Sequence, residues 1–185
     1  MENNLIVTSN PHITDNVSTR KLMGNVVISL VPCIIASAMI FGLRALLLTA
    51  VTTAACVGFE YLYCMLMKKP NPVGDLSACV TGVILALNMP VSMPLWIAIV
   101  GALVAIVIIK QLFGGLGYNF ANPALVGRIV LFISFAGSMN KWVFPDAAVD
   151  QLSSATPLAV ADKSKLSLLD LFMGIHGGVL GETCA

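Results

Sequence analysis

Leu22-Met-Gly-Asn-Val-Val-Ile-Ser-Leu-Val-Pro-Cys-Ile-Ile-Ala-Ser-Ala-Met-Ile-Phe41 carries no charged side chain, and its main interruptions are Gly24, Asn25 and Pro32. As a helix it rises about 30 Å, the thickness of a bilayer's hydrocarbon core. Working outward, Gly42-Leu43-Arg44 reads as a tight polar punctuation. A second apolar run, Ala45 to Met67, contains a single acid, Glu60, and stops at Lys68-Lys69-Pro70. The two runs predict an antiparallel pair of membrane helices. On the other side, residues 1–21 are polar and irregular, with Asn10-Pro11 as a turn signal. Arg20-Lys21 and Ala36-Ser37-Ala38 imitate a signal peptide, but the polar stretch ahead is too long for one and further apolar segments follow. The first run is therefore a retained span.

Composition agrees. Of 185 residues, 58% are hydrophobic and 10% charged, against about a quarter charged in a soluble domain. A net charge of +1 leaves no basic surface to neutralise nucleic-acid phosphates. The five cysteines lack C-x-x-C spacing, and His12 and His176 lie far apart, so no zinc-type ligand set is visible. Cys33, Cys56, Cys64 and Cys79 read as small apolar packing residues.

The rest of the chain is broken up in an informative way. Pro-Asn-Pro-Val-Gly-Asp75 is a loop ending in an N-cap candidate, Asp75. Leu76 to Met89 is too short to cross before Pro90 stops it, and it reads as a half helix. Pro94 to Ile109 is apolar and reaches Lys110-Gln111. The glycine-rich stretch 114–123 ends in Asn122-Pro123, from which a helix runs to about Ala136. Such irregular backbone is tolerated at membrane depth only where protein buries it or a cavity is lined by it. The resulting organisation is a polar segment 1–21, helices over 22–136, a polar loop 137–167, and a further membrane segment starting in 168–185. The expectation is an all-α, polytopic integral membrane protein with five to six membrane segments, one of them broken. It has the shape of the first half of an inverted-repeat transporter-like fold, with a second half missing. Arg20-Lys21, Lys68-Lys69 and Lys110 fall on one side and Arg44 opposite, which puts the N-terminus in the cytoplasm and loop 137–167 outside.

Three sets of residues invite chemistry. Ser153-Ser154-Ala155-Thr156-Pro157-Leu158 lies in the long loop and alone is an ordinary turn or cap. The glycine-rich stretches 114–123 and 174–183 let backbone approach a ligand, or simply let helices pack closely. Neither follows a strand in a dinucleotide-binding pattern. Last come Arg44, Glu60, Asp75, Lys110, Arg128 and Glu182. Most sit near span ends and can reach the interface. Glu60 and Arg128 look interior, as structural pairs or as part of an ion pathway, and Glu60 and Asp75 are the candidate ion-path residues.

Four segments in this order resemble a known family: Asp75–Pro90, Phe113–Asn119 followed by Asn122–Arg128, Ser154–Leu158, and Gly177–Thr183. The chain is similar to the D subunit of the Rnf complex, a ferredoxin:NAD oxidoreductase of the bacterial inner membrane, and to the B subunit of the sodium-pumping NADH:quinone reductase. The resemblance covers nearly the whole chain. It departs in the extra Ala121 of Phe120-Ala-Asn-Pro123, and in Cys184 where family members commonly have serine.

The resemblance implies a fold like that of urea and ammonium transporters. It also implies covalent FMN on a threonine of a Ser-x-Ala-Thr motif, which is Thr156 here. Ser153, Ser154, Ala155, Pro157, Leu158, Glu182 and Thr183 stand as its neighbours. Riboflavin is a second implied cofactor, with 114–123 as the candidate stretch. The implied role is a redox translocase component that relays electrons coupled to Na+ or H+ transport. Its partners would be the A, B, C, E and G subunits of the Rnf complex, and ferredoxin and NAD would be reached through those partners. Thr156 would be an attachment point, while the isoalloxazine supplies the redox chemistry. The rival readings are a solute permease of the same fold without redox function, and a scaffold for flavoprotein partners.

Overall fold

A computed structural model describes residues 17–69, 72–141 and 178–181. Every regular element among them is helical. Helix α1, Thr19–Phe41, opens with Ser18, whose hydroxyl accepts from the Lys21 amide at 3.3 Å. That is the usual service of an N-cap serine to a turn with no partner of its own. α1 ends at Gly42, whose amide donates to the Ala38 carbonyl at 2.9 Å and whose φ is 74°. The chain then enters α2, Leu43–Leu66, directly. The expected three-residue punctuation is thus one residue. Gly42 alone makes the turn because glycine accepts a positive φ, and Leu43 and Arg44 are already helical. α1 and α2 are each about 35 Å long, and both are long and apolar enough to cross a membrane.

A 3-10 turn, Val73–Asp75, precedes α3, Ser77–Leu87. Asp75 does not cap α3. Leu76 occupies the capping position in the left-handed region, φ 60°, and makes no side-chain cap bond. At about 16 Å, α3 is the half helix its sequence predicts. α4, Leu95–Leu103, passes without a break into a π-helix, Val104–Gln111. α5, Pro123–Ser134, starts as expected: Pro123 stands in its first turn and Asn122 Oδ1 accepts from the Ala124 amide at 3.0 Å. It ends at Ser134, close to the expected Ala136, and after Phe135 a short α6, Ala136–Met139, follows.

Packing centres on α2, which lies against α1, α3, α4 and the π-helix. Small residues let these helices come close. A Cβ on Gly82 of α3 would stand 2.6 Å from the Thr53 Cα of α2, and one on Gly101 of α4 would stand 2.5 Å from a Leu131 methyl of α5. Leu48, Leu85, Met89, Met93, Ile97, Ile106 and Leu131 fill the interior.

One end of the bundle is tied together by bonds to backbone carbonyls. Arg44 donates from Nε to the Val91 carbonyl at 3.0 Å and from Nη2 to that of Met93 at 3.4 Å. Ser92 Oγ donates to the Lys141 carbonyl at 2.6 Å. The Leu180 and Gly181 amides donate to the Met89 and Leu87 carbonyls at 3.2 and 2.7 Å. These last two bonds serve carbonyls at the broken end of α3, which the helix itself leaves without partners.

Candidate functional site

The buried face of α2 consists of Ala45, Leu48, Thr49, Thr52, Cys56, Glu60 and Cys64, the last two towards the end opposite Arg44. The spacing of three and four is that of one helix face. Thr49 and Thr52 satisfy their hydroxyls on the Ala45 and Leu48 carbonyls, at 2.9 and 2.7 Å. Glu60 has no such local solution. Its carboxylate is 0% exposed, and a charge there requires a partner from another element.

The partner is Lys110, itself 1% exposed, whose Nζ lies 2.5 Å from Glu60 Oε1. Lys110 also donates to Ser77 Oγ at 2.7 Å, at the first residue of α3. Gln111 Nε2 donates to the same Glu60 Oε1 at 2.8 Å, and Cys64 Sγ lies 4.0 Å from Gln111 Oε1. In a regular α-helix, adjacent residues point about 100° apart. Here two adjacent residues at the end of a π-helix converge on one carboxylate oxygen. π-Geometry is rare and is frequently found at functional sites. The other oxygen, Glu60 Oε2, is buried without a hydrogen-bond partner among the described residues.

This overturns the placement of Lys110 at an interface. It does not extend to water at the end of its span, so it drops out of the basic residues that set orientation; Arg20, Lys21, Lys68 and Lys69 carry that count. The interior position expected for Glu60 is what the structure shows. Asp75, the other candidate ion-path residue, makes no ion pair among the described residues.

Arg128 is half-buried, and its Nη1 donates to Asn88 Oδ1 at 2.9 Å. Asn88 in turn donates from Nδ2 to the Ile84 carbonyl at 2.8 Å. A guanidinium therefore sits at the C-terminal end of α3, where the helix dipole favours a cation. In the stretch 114–123, Gly114, Gly115 and Gly117 all have positive φ. Phe113 and Phe120 meet edge to face at 4.8 Å between centroids. Among the described residues no group of three or more His, Cys, Asp or Glu could hold a metal ion. Ser153, Ser154, Ala155, Thr156, Pro157, Leu158, Glu182 and Thr183 lie outside the described residues.

Comparison with known proteins places these features in a lineage. The model of the NQR2, RnfD, RnfE family matches residues 6–185. The chain is 44% identical to the D subunit of the Na(+)-translocating ferredoxin:NAD(+) oxidoreductase complex of Acetobacterium woodii, over 100% of this chain and 59% of the relative. It is 32% identical to the D subunit of the proton-translocating ferredoxin:NAD(+) oxidoreductase complex of Clostridium ljungdahlii, over 98% of this chain and 59% of the relative. With the D subunit of the ion-translocating oxidoreductase complex of Vibrio cholerae, identity is 34% over 92% of this chain and 51% of the relative. The chain thus spans between half and three-fifths of the length of these relatives. With a family match over nearly its whole length, the chain belongs to the NQR2, RnfD, RnfE family.

Proposed function

We propose that the chain is part of the membrane subunit of an ion-translocating ferredoxin:NAD(+) oxidoreductase complex, a redox-driven translocase that works with the other Rnf subunits. Kinship with the D subunits of such complexes, along the full chain, carries this reading. In it, Thr156 bears FMN through a phosphoester, and the flavin relays electrons between partner subunits. Glu60 belongs to the ion path, because a fully buried carboxylate with one oxygen unpartnered among the described residues has a coordination site to offer. The two relatives named for Na+ and for H+ leave the choice of ion to this chain's own residues.

The membrane arrangement follows the same reading. The fold is the first half of a transporter-like inverted repeat, with the α3 half helix re-entering from the Lys68 side. Lys141 and Gly178, which flank 142–177, both lie at the end tied by Arg44, opposite Lys68 and Lys69. By the bias of basic residues this end is extracytoplasmic, and so is the loop that bears Thr156. The stretch 114–123 is the place for riboflavin. Its support is glycine backbone open to a ligand and Asn119 Oδ1, buried and without a partner among the described residues.

The test is in-gel flavin fluorescence after denaturation, in a host that supplies the flavin transferase. The parent chain fluoresces and the Thr156→Ala variant does not. A dark parent band refutes covalent flavin, and a bright variant band refutes Thr156 as its site.

A further inference from the structure

We propose that Lys110 is a tethered counter-cation: its ammonium holds the place on Glu60 that a translocated monovalent cation takes, so that ammonium and ion exclude one another. This rests on the reading of Glu60 as part of the ion path.

The geometry is that of a small cation site already filled by a side chain. Lys110 Nζ is held by two oxygens, Glu60 Oε1 at 2.5 Å and Ser77 Oγ at 2.7 Å. The Gln111 amide is bonded to the same carboxylate. Carboxylate and hydroxyl oxygens are the hard donors that suit a desolvated alkali cation, while Gln111 meets the carboxylate through its Nε2 and keeps its own oxygen towards Cys64. A single carboxylate matches a single positive charge. The site is also incomplete as an ion pair. Glu60 Oε2 is buried and accepts nothing among the described residues, although a buried carboxylate is ordinarily satisfied on both oxygens.

Charge balance makes the two cations exclusive. Glu60 with Lys110 is neutral, and that is the form a low-dielectric interior stabilises. A cation bound to Oε2 with the ammonium still in place leaves one uncompensated positive charge beside another. Binding of the ion therefore drives Nζ away from Oε1. Lys110 sits at the end of the π-helix, whose register can relax towards α and carry Lys110 and Gln111 off the carboxylate together. Ser77 ties the same ammonium to the first turn of α3, so its departure also frees the half helix. Lys110 thus acts as a positioning and specificity residue through Glu60.

The experiment uses the purified complex holding the full-length subunit, titrated with NaCl against choline chloride while thermal unfolding is followed. In Lys110→Met the carboxylate is left without its counter-charge. The expected result is Na+-specific stabilisation at concentrations lower than in the parent by roughly tenfold or more, read directly as a rise in Tm. Adding Glu60→Gln to Lys110→Met abolishes it. A folded Lys110→Met complex that responds to NaCl no more than to choline chloride overturns the proposal. Should that variant fail to assemble, reductive methylation of Lys110 in the parent decides. Faster modification in NaCl than in choline chloride supports displacement, and equal rates overturn it. Turnover of the Glu60→Gln complex separates the two readings. If it keeps the parental ion dependence, Glu60 is not on the path and both fall. If it loses that dependence while Lys110→Met gains no Na+ response, only the tethered cation falls.

Discussion

The amide of Gly181 donates to the carbonyl of Leu87 at 2.7 Å, joining the last described segment to the broken end of α3. Leu87 and Met89 expose carbonyls where α3 stops, and buried carbonyls require donors. Residues 178–181 supply them, with Val179 and Leu180 buried beside the joint. The segment supplies donors in place of the helical turns that Pro90 prevents.

Gly181 is required there by space. A Cβ would stand 3.1 Å from the Leu87 carbonyl oxygen and 3.2 Å from Leu87 Cβ. Gly181→Val must push the segment off α3. It is expected to lower stability by about 1–3 kcal/mol and to expose the amides of 180 and 181, measured by a reduced Tm and faster hydrogen exchange at those positions. An unchanged Tm would show that the joint contributes nothing to stability.

The contact between α2 and α3 is tighter still. A Cβ on Gly82 would lie 2.6 Å from the backbone of Thr53, and backbone cannot rotate aside as a side chain can. Gly82→Ala should therefore lose about 1–3 kcal/mol by overpacking. In an exposed helix the same change would gain about 1 kcal/mol. A denaturation series in mild detergent gives the sign, and a stabilised variant would contradict the packing.

Breaking the buried pair on one side only is the most damaging change available near Glu60. Lys110→Met and Glu60→Gln each leave polar groups without partners, and loss of one member of such a pair typically costs about 3–5 kcal/mol. The double variant removes both charges and should cost less than the sum, so a double-mutant cycle returns a coupling energy of roughly 1–3 kcal/mol. Strict additivity would mean that the two side chains do not interact. Because bound Na+ offsets the loss in Lys110→Met alone, the cycle is run in choline chloride.

Much of this architecture is legible in the sequence. Scarcity of charge and runs of about twenty apolar residues fix the first two helices, and Pro90 marks the short α3. Asn122-Pro123 announces the start of α5. What escaped was long-range. A lysine at the end of an apolar run can reach water or turn inward, and the deciding fact is Glu60, fifty residues away in sequence. Asp75 looked like a cap because local chemistry favours aspartate, yet the chain turns one residue later through Leu76. Arg44 read as loop punctuation because its acceptors, the Val91 and Met93 carbonyls, come from a different segment. Thr156 is singled out only by the resemblance of the motifs around it, and it lies outside the described residues.

Orientation gives the final prediction, because the bonds at one end make it a single surface. Arg44, Ser92 and Lys141 converge there, while Lys68 and Lys69 close α2 at the other end. In a variant lacking native cysteines, Ser92→Cys should react with a membrane-impermeant maleimide added to whole cells with a permeable outer layer. Lys68→Cys should react only after the membrane is opened. Arg44 sets a second reading of the same surface. Arg44→Ala removes both bonds to the 91–93 turn, so labelling of Ser92→Cys should quicken in its presence while that of Lys68→Cys stays the same. If Lys68→Cys labels from outside and Ser92→Cys does not, the protein is inverted, and Thr156 moves to the cytoplasmic side with the end to which its loop is attached.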